Sequence, residues 1–122
     1  MGGPSGAAPL EPSLEEGFLE LLRPHLLCRS GPWVAHARCA RLPAEEFFRC
    51  FYPAPGDAQA LAAARACCRA CPVMLPCLGN AVALRERSGV RGGATRELRY
   101  AMARALGVSR PRAKAVAPGR SG

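Results

Sequence analysis

The sequence predicts an all-α fold, a small bundle of about four to five short helices. Apolar residues recur at helical spacing in several stretches, and none shows the period-two alternation of a half-buried strand. The run CRACPVMLPC over residues 68–77 adds a C-x2-C-x5-C array, and Cys39 lies upstream. A chain of 122 residues buries a limited core, so a metal or covalent staple helps to hold it.

Residues 1–12 are small, Pro- and Gly-rich, and expected to be disordered. Ser13-Leu14-Glu15-Glu16 has the form of a capping box, in which the Ser hydroxyl accepts an amide proton and Glu16 reaches back. Leu14, Phe18, Leu21 and Leu22 then share one helical face, and Pro24 is expected to end the helix. Gly31-Pro32 marks a turn before Trp33 and Cys39. Pro43 suits the first turn of a helix carrying Glu45, Glu46, Phe47 and Phe48, and the two adjacent Phe are expected to supply much of the apolar burial.

YPAPGD, residues 52–57, reads as a loop, with Asp57 capping the Ala-rich helix from 58 to about 68. Leu61, Ala64 and Cys68 share a face of that helix. Cys71-Pro72 breaks it. A further helix opens between Pro72 and Pro76, runs to about Arg87, and carries Met74, Leu78, Ala81 and Val82 on one face. Ser88 to Gly93 is a glycine-rich turn. Thr95 caps a last helix to about Leu106, with Gly107 as its stop and Leu98, Met102, Ala105 and Leu106 as its buried face. The tail from Val108 is basic and expected to be disordered on its own.

Charge divides the chain. Residues 1–84 hold seven Arg against six Glu and Asp57; residues 85–122 hold nine Arg and Lys114 against Glu86 and Glu97, so the whole net charge of +8 lies there. A basic segment of this kind fits a polyanion such as DNA. No run approaches the roughly 20 apolar residues that cross a bilayer, and the first residues lack the pattern of a signal peptide. The expectation is a cytoplasmic protein without a membrane partner or small-molecule substrate, where thiols stay reduced.

Seven cysteines cannot all close into internal disulfides. Thiolates select zinc, Cu(I) or iron–sulfur clusters, and four of them suit either tetrahedral zinc or a [4Fe–4S] cube. Cys68 and Cys71 sit one turn apart, Cys77 follows, and Cys39 comes from a separate segment. His25 and His36 are left out of the ligand set, and Cys28, Cys50 and Cys67 are read as small buried or incidental residues. A C-x2-C pair also admits a thiol–disulfide reductase, although the βαβ pattern expected around one is missing.

Trp33, Cys39, Phe47-Phe48, CRACPVMLPCL and GVRGGAT together resemble the WhiB-like (Wbl) proteins of actinobacteria and their phages, over about residues 33–100. The resemblance implies a small helical fold around a [4Fe–4S] cluster on Cys39, Cys68, Cys71 and Cys77. It implies a non-enzymatic transcription regulator that senses redox state, oxygen or nitric oxide. The implied partners are DNA and domain 4 of an RNA polymerase sigma factor. Trp33, Phe47, Phe48 and the turn Gly89, Val90, Arg91, Gly92, Gly93 become the expected partner surface. The family turn usually carries Trp where this chain has Arg91. Arg96, Arg99, Arg104, Arg110, Arg112 and Lys114 are the expected DNA contacts. The resulting division is a disordered 1–12, a helix and linker 13–32, a cluster-binding domain 33–88, the turn and basic helix 89–107, and a basic tail 108–122. The alternative is a structural zinc module that binds DNA, or a reductase in the metal-free form.

Overall fold

A computed structural model describes residues 11–27 and 31–109. Cys28, Arg110, Arg112 and Lys114 lie outside the described residues, as do most of the two expected tails. The described chain forms five α-helices, α1 (Glu16–Leu22), α2 (Ala44–Phe51), α3 (Ala58–Arg69), α4 (Met74–Leu84) and α5 (Arg96–Leu106), with 3-10 turns at Arg23–Leu27, Pro32–His36 and Arg38–Arg41. No strand occurs among the described residues, so the all-α expectation holds.

The organising helix is α4. Met74, Leu78, Gly79, Asn80, Ala81 and Val82 are all buried, which is the signature of a helix enclosed on most sides. Pro76 sits in its first turn, where no intrahelical N–H is required. Helix α1, the following 3-10 turn and α5 all pack on α4, whereas α2 and the Arg38–Arg41 turn pack on α3. Gly79 permits the closest of these approaches, because a Cβ there would collide with the backbone of His25. Among the described residues no single helix is long and apolar enough to cross a membrane.

The start of the chain differs from expectation. Helix α1 begins at Glu16 with Glu15 as its N-cap, and Ser13 Oγ instead accepts from the Glu15 N–H at 3.2 Å. Leu14 and Leu21 are exposed, which leaves Phe18 and Leu22, one turn apart, as the buried pair. Pro24 does not stop the chain's coiling; the helix tightens into the 3-10 turn that contains it.

Helix α2 also corrects its reading. Neighbouring residues on a helix point about 100° apart, so Phe47 and Phe48 cannot both face inward. Phe51, one turn after Phe47, is the buried ring, and the two stack at 5.0 Å between centroids. Phe48 is 59% exposed. Asp57 caps α3 as expected, its Oδ1 accepting from the Ala60 N–H at 3.0 Å. Thr95 caps α5 through Leu98 N–H at 3.3 Å, and Gly107 ends it with φ of 74°.

Helix α4 ends earlier than expected, at Arg85 in the left-handed region, φ 50°. The Arg85 guanidinium lies over the Tyr100 ring, 5.1 Å from its centroid. The buried face of α5 is Arg99, Met102, Ala103 and Leu106; Leu98 is half-buried and Ala105 exposed. Met102 and Leu106 face inward as expected, and Arg99 and Ala103 take the inward places expected for Leu98 and Ala105. The Arg99 side chain is 0% exposed, and its guanidinium donates to the carbonyls of Gly89 (2.8 Å), Ala94 (2.7 Å), Glu86 (3.0 Å) and Ser88 (3.2 Å). Arg99 is therefore not a DNA contact: it is the clamp of the glycine-rich turn.

Candidate metal centre

Four elements deliver the four expected thiols. Cys39 lies in the Arg38–Arg41 turn, Cys68 near the end of α3, Cys71 in the link to α4, and Cys77 in the first turn of α4. Helices α3 and α4 meet at a bend of 119° across that link. The link is fixed by Cys71 N–H donating to Cys68 O at 3.0 Å and Met74 N–H to Cys71 O at 3.3 Å. The bend folds three of the four cysteines back toward one another, and the Arg38–Arg41 turn, packed on α3, brings the fourth.

The thiols lie near enough to feel one another's charge. Burial pushes the Cys68 thiol up to about 12, with further increments from Cys77, Cys67 and Cys39. Burial also raises Cys39, followed by the charges of Cys77, Cys67 and Cys71. Cys39 and Cys68 thus resist ionisation first because they are buried and then because other thiols are near. A soft metal reverses that preference by taking up the thiolates, and loading then releases protons. Cys68, rather than Cys67, is the more buried of the adjacent pair. Cys67 nonetheless belongs to this neighbourhood: burial raises its pKa first, then Cys71, with Arg38 opposing.

One N–H is directed at sulfur: Arg38 N–H donates to Cys71 Sγ at 3.3 Å. The Gly93 backbone lies beside Cys68, and the Arg91 guanidinium beside Cys77. Donors of this kind stabilise sulfur carrying negative charge, as expected around metal-ligating thiolates. The donor set therefore fits a sulfur-ligated centre. Among the described residues, no three His, Cys, Asp or Glu side chains converge closely enough to hold one metal ion.

The glycine-rich turn closes the site. Val90 N–H donates to Phe51 O at 2.8 Å, and Arg91 and Ala94 exchange both backbone hydrogen bonds at 3.1 and 3.0 Å. Gly92 has φ of 58°, and a Cβ there would stand 2.5 Å from Leu78 Cβ, so the turn lies directly on α4 beside Cys77. An added Cβ at Gly93 would sit 3.5 Å from Cys68 Cβ.

This placement corrects the expected partner surface. Val90, Gly92 and Gly93 are buried because the turn packs inward on α4 and α3, and only Gly89 and Arg91 remain half-exposed. Trp33 and Phe47 are half-buried, while Phe48 is exposed. Phe48 and Tyr52 form an exposed aromatic pair, 5.6 Å between centroids. Of the expected DNA contacts among the described residues, Arg96 and Arg104 are exposed, and Arg96 lies 3.4 Å from Glu97.

The sequence carries no sign of a cavity of about 750 Å³ that the fold contains; Tyr52, Pro55, Leu61, Arg87, Val90 and Thr95 are among its walls, and no cysteine lines it. Nor does it announce the placing of Gly93 beside Cys68 and of Arg91 beside Cys77, since both depend on the turn's register against α3 and α4.

The profile of a transcription-factor family, WhiB, matches residues 33–102. The match covers both cysteine segments, the turn and most of α5. No curated protein and no solved structure matches the chain. The chain belongs to the WhiB family of transcription factors.

Proposed function

We propose that the chain is an iron–sulfur transcription regulator in which Cys39, Cys68, Cys71 and Cys77 hold a [4Fe–4S] cluster. The observation that carries this reading is the placing of these four thiols near one another, with Arg38 N–H donating to Cys71 and with Gly93 and Arg91 beside Cys68 and Cys77. A cube places each thiolate on a separate iron, whereas a single zinc ion requires all four sulfurs within about 2.3 Å of one point. When bound, the cluster supplies one-electron redox chemistry and a target for oxygen or nitric oxide.

The chain's own residues do the rest. The thiolates tie the Arg38–Arg41 turn to α3 and α4, so metal binding adds folding free energy. The exposed Phe48–Tyr52 pair offers an aromatic anchor for a protein partner, for which a sigma factor's domain 4 is the proposed occupant. Arg96 and Arg104 on α5, continued by Arg110, Arg112 and Lys114, would meet DNA phosphates.

Protein purified without oxygen is expected to carry about four iron and four acid-labile sulfide per chain and to be brown. A colourless protein with one zinc per chain would replace the cluster by the structural-zinc reading, and a metal-free folded protein would overturn both. A chain ending at Gly107 is expected to bind DNA more weakly, with a salt slope flatter by about 0.9 for each phosphate that the tail no longer neutralises. Unchanged binding and slope would remove the tail from the interface.

A further inference from the structure

Arg91 is held on three sides. Its Nη1 pairs with Glu86 Oε1 at 3.7 Å, its Nη2 donates to Asn80 Oδ1 at 3.4 Å, and Cys77 lies beside the guanidinium. Asn80 follows Cys77 by three residues on α4, so both project from one face of that helix. The backbone is fixed as well, by the paired Arg91–Ala94 hydrogen bonds and by Gly92 seated on Leu78. The side chain is only 28% exposed. A half-buried guanidinium fixed in this way is a standing positive charge at one corner of the thiol array.

We propose that Arg91 is a positioning charge for the centre, held by Glu86 and Asn80 against Cys77, that raises the reduction potential of the proposed cluster. The inference rests on the iron–sulfur reading. A low-potential reductant such as dithionite passes one electron to the cluster, with no bond broken and no proton taken up. The four-thiolate assembly gains one negative charge. A guanidinium at the Cys77 corner favours that added charge, and the low dielectric of a half-buried site strengthens the effect. Glu86 partly offsets it. The two residues therefore act on the potential with opposite signs.

The test is a redox titration of the anaerobic, full-length protein, after iron and sulfide have been measured in each variant. Arg91→Met is expected to lower the equilibrium constant for one-electron reduction about tenfold, a fall of about 59 mV. Arg91→Lys, which restores a point charge, is expected to recover most of that loss. Glu86→Gln is expected to shift the potential upward. Arg49→Met, a loss of charge on the exposed face of α2, is expected to leave it unmoved.

If the iron and sulfide are full but Arg91→Met and Glu86→Gln titrate with the native protein, the inference is wrong and the cluster reading stands. A shift of equal size in Arg49→Met would overturn it too. If Arg91→Met fails to retain iron, Glu86→Gln decides: an upward shift supports the inference, and none overturns it. Native protein devoid of iron and sulfide would sink the cluster reading and this inference with it.

Discussion

Replacing Cys71 by Ala is expected to leave anaerobically purified protein without iron or sulfide and with reduced helical circular dichroism. Cys71 stands where three pieces of chain meet. Its sulfur accepts from Arg38 N–H, its backbone N–H donates to the end of α3, and its carbonyl accepts from the start of α4. Removing the sulfur takes away one of four proposed ligands and also the hydrogen bond that ties the Arg38 segment to the bend. Three thiolates leave one iron of a cube without a protein ligand. The helicity follows the metal because a small metallo-domain folds around its centre. Full iron and sulfide in Cys71→Ala would refute the ligand assignment, whatever the helicity does.

Arg99→Met is expected to destabilise the folded protein by about 3–5 kcal/mol, because several buried carbonyls lose a charged donor together. Met keeps the length and the apolar stem but none of the donors. The carbonyls of Glu86, Ser88, Gly89 and Ala94 would lose this donor at once, and Ala94 O would keep the Arg91 N–H. Buried acceptors left unpaired cost about 1–3 kcal/mol each when water cannot reach them. Partial hydration of the half-exposed turn explains a total below the sum. For a domain of this size the melting midpoint should fall by more than about 10 °C, at about 4–8 °C per kcal/mol. Arg99→Lys is expected to recover only part of the loss, since an ammonium has three donors and no planar fork. A melting midpoint equal to that of the native chain, coupled with weakened DNA binding, would restore Arg99 to the DNA-facing set.

Features governed by short-range chemistry are legible in the sequence. Asp57 and Thr95 cap because a short oxygen-bearing side chain meets an amide three residues on, and Gly107 stops α5 because it accepts a positive φ. The spacing of Cys68 from Ala64 puts it on the buried side of α3, and it lies there. The four ligand candidates follow from thiolate chemistry, spacing and family likeness, and in the fold they lie near enough to feel one another's charge.

Illegible features depend on where a distant element lies. Arg99 reads as a solvent-facing cation until the carbonyls it serves are known, and those belong to a turn about ten residues upstream. Arg91 reads as an exposed anchor until the turn's tilt on α4 is known. Helix geometry limits the choice between Phe47 and Phe48, and the stacking of Phe47 on Phe51, one turn later, is what settles it. The 3-10 turns have no lasting periodicity to detect.

The clamp formed by Arg99 has a mechanical meaning. The turn touches the thiol array through Gly93 and Arg91, and Arg99 grips that same turn from α5. Arg96 and Arg104 ride on the same short rod as Arg99. Between the sulfur atoms and the basic face there is thus no slack linker, only a loop and one side chain. The loop beside the thiols and the rod that bears Arg96 and Arg104 are thus bolted together by the hydrogen bonds of Arg99.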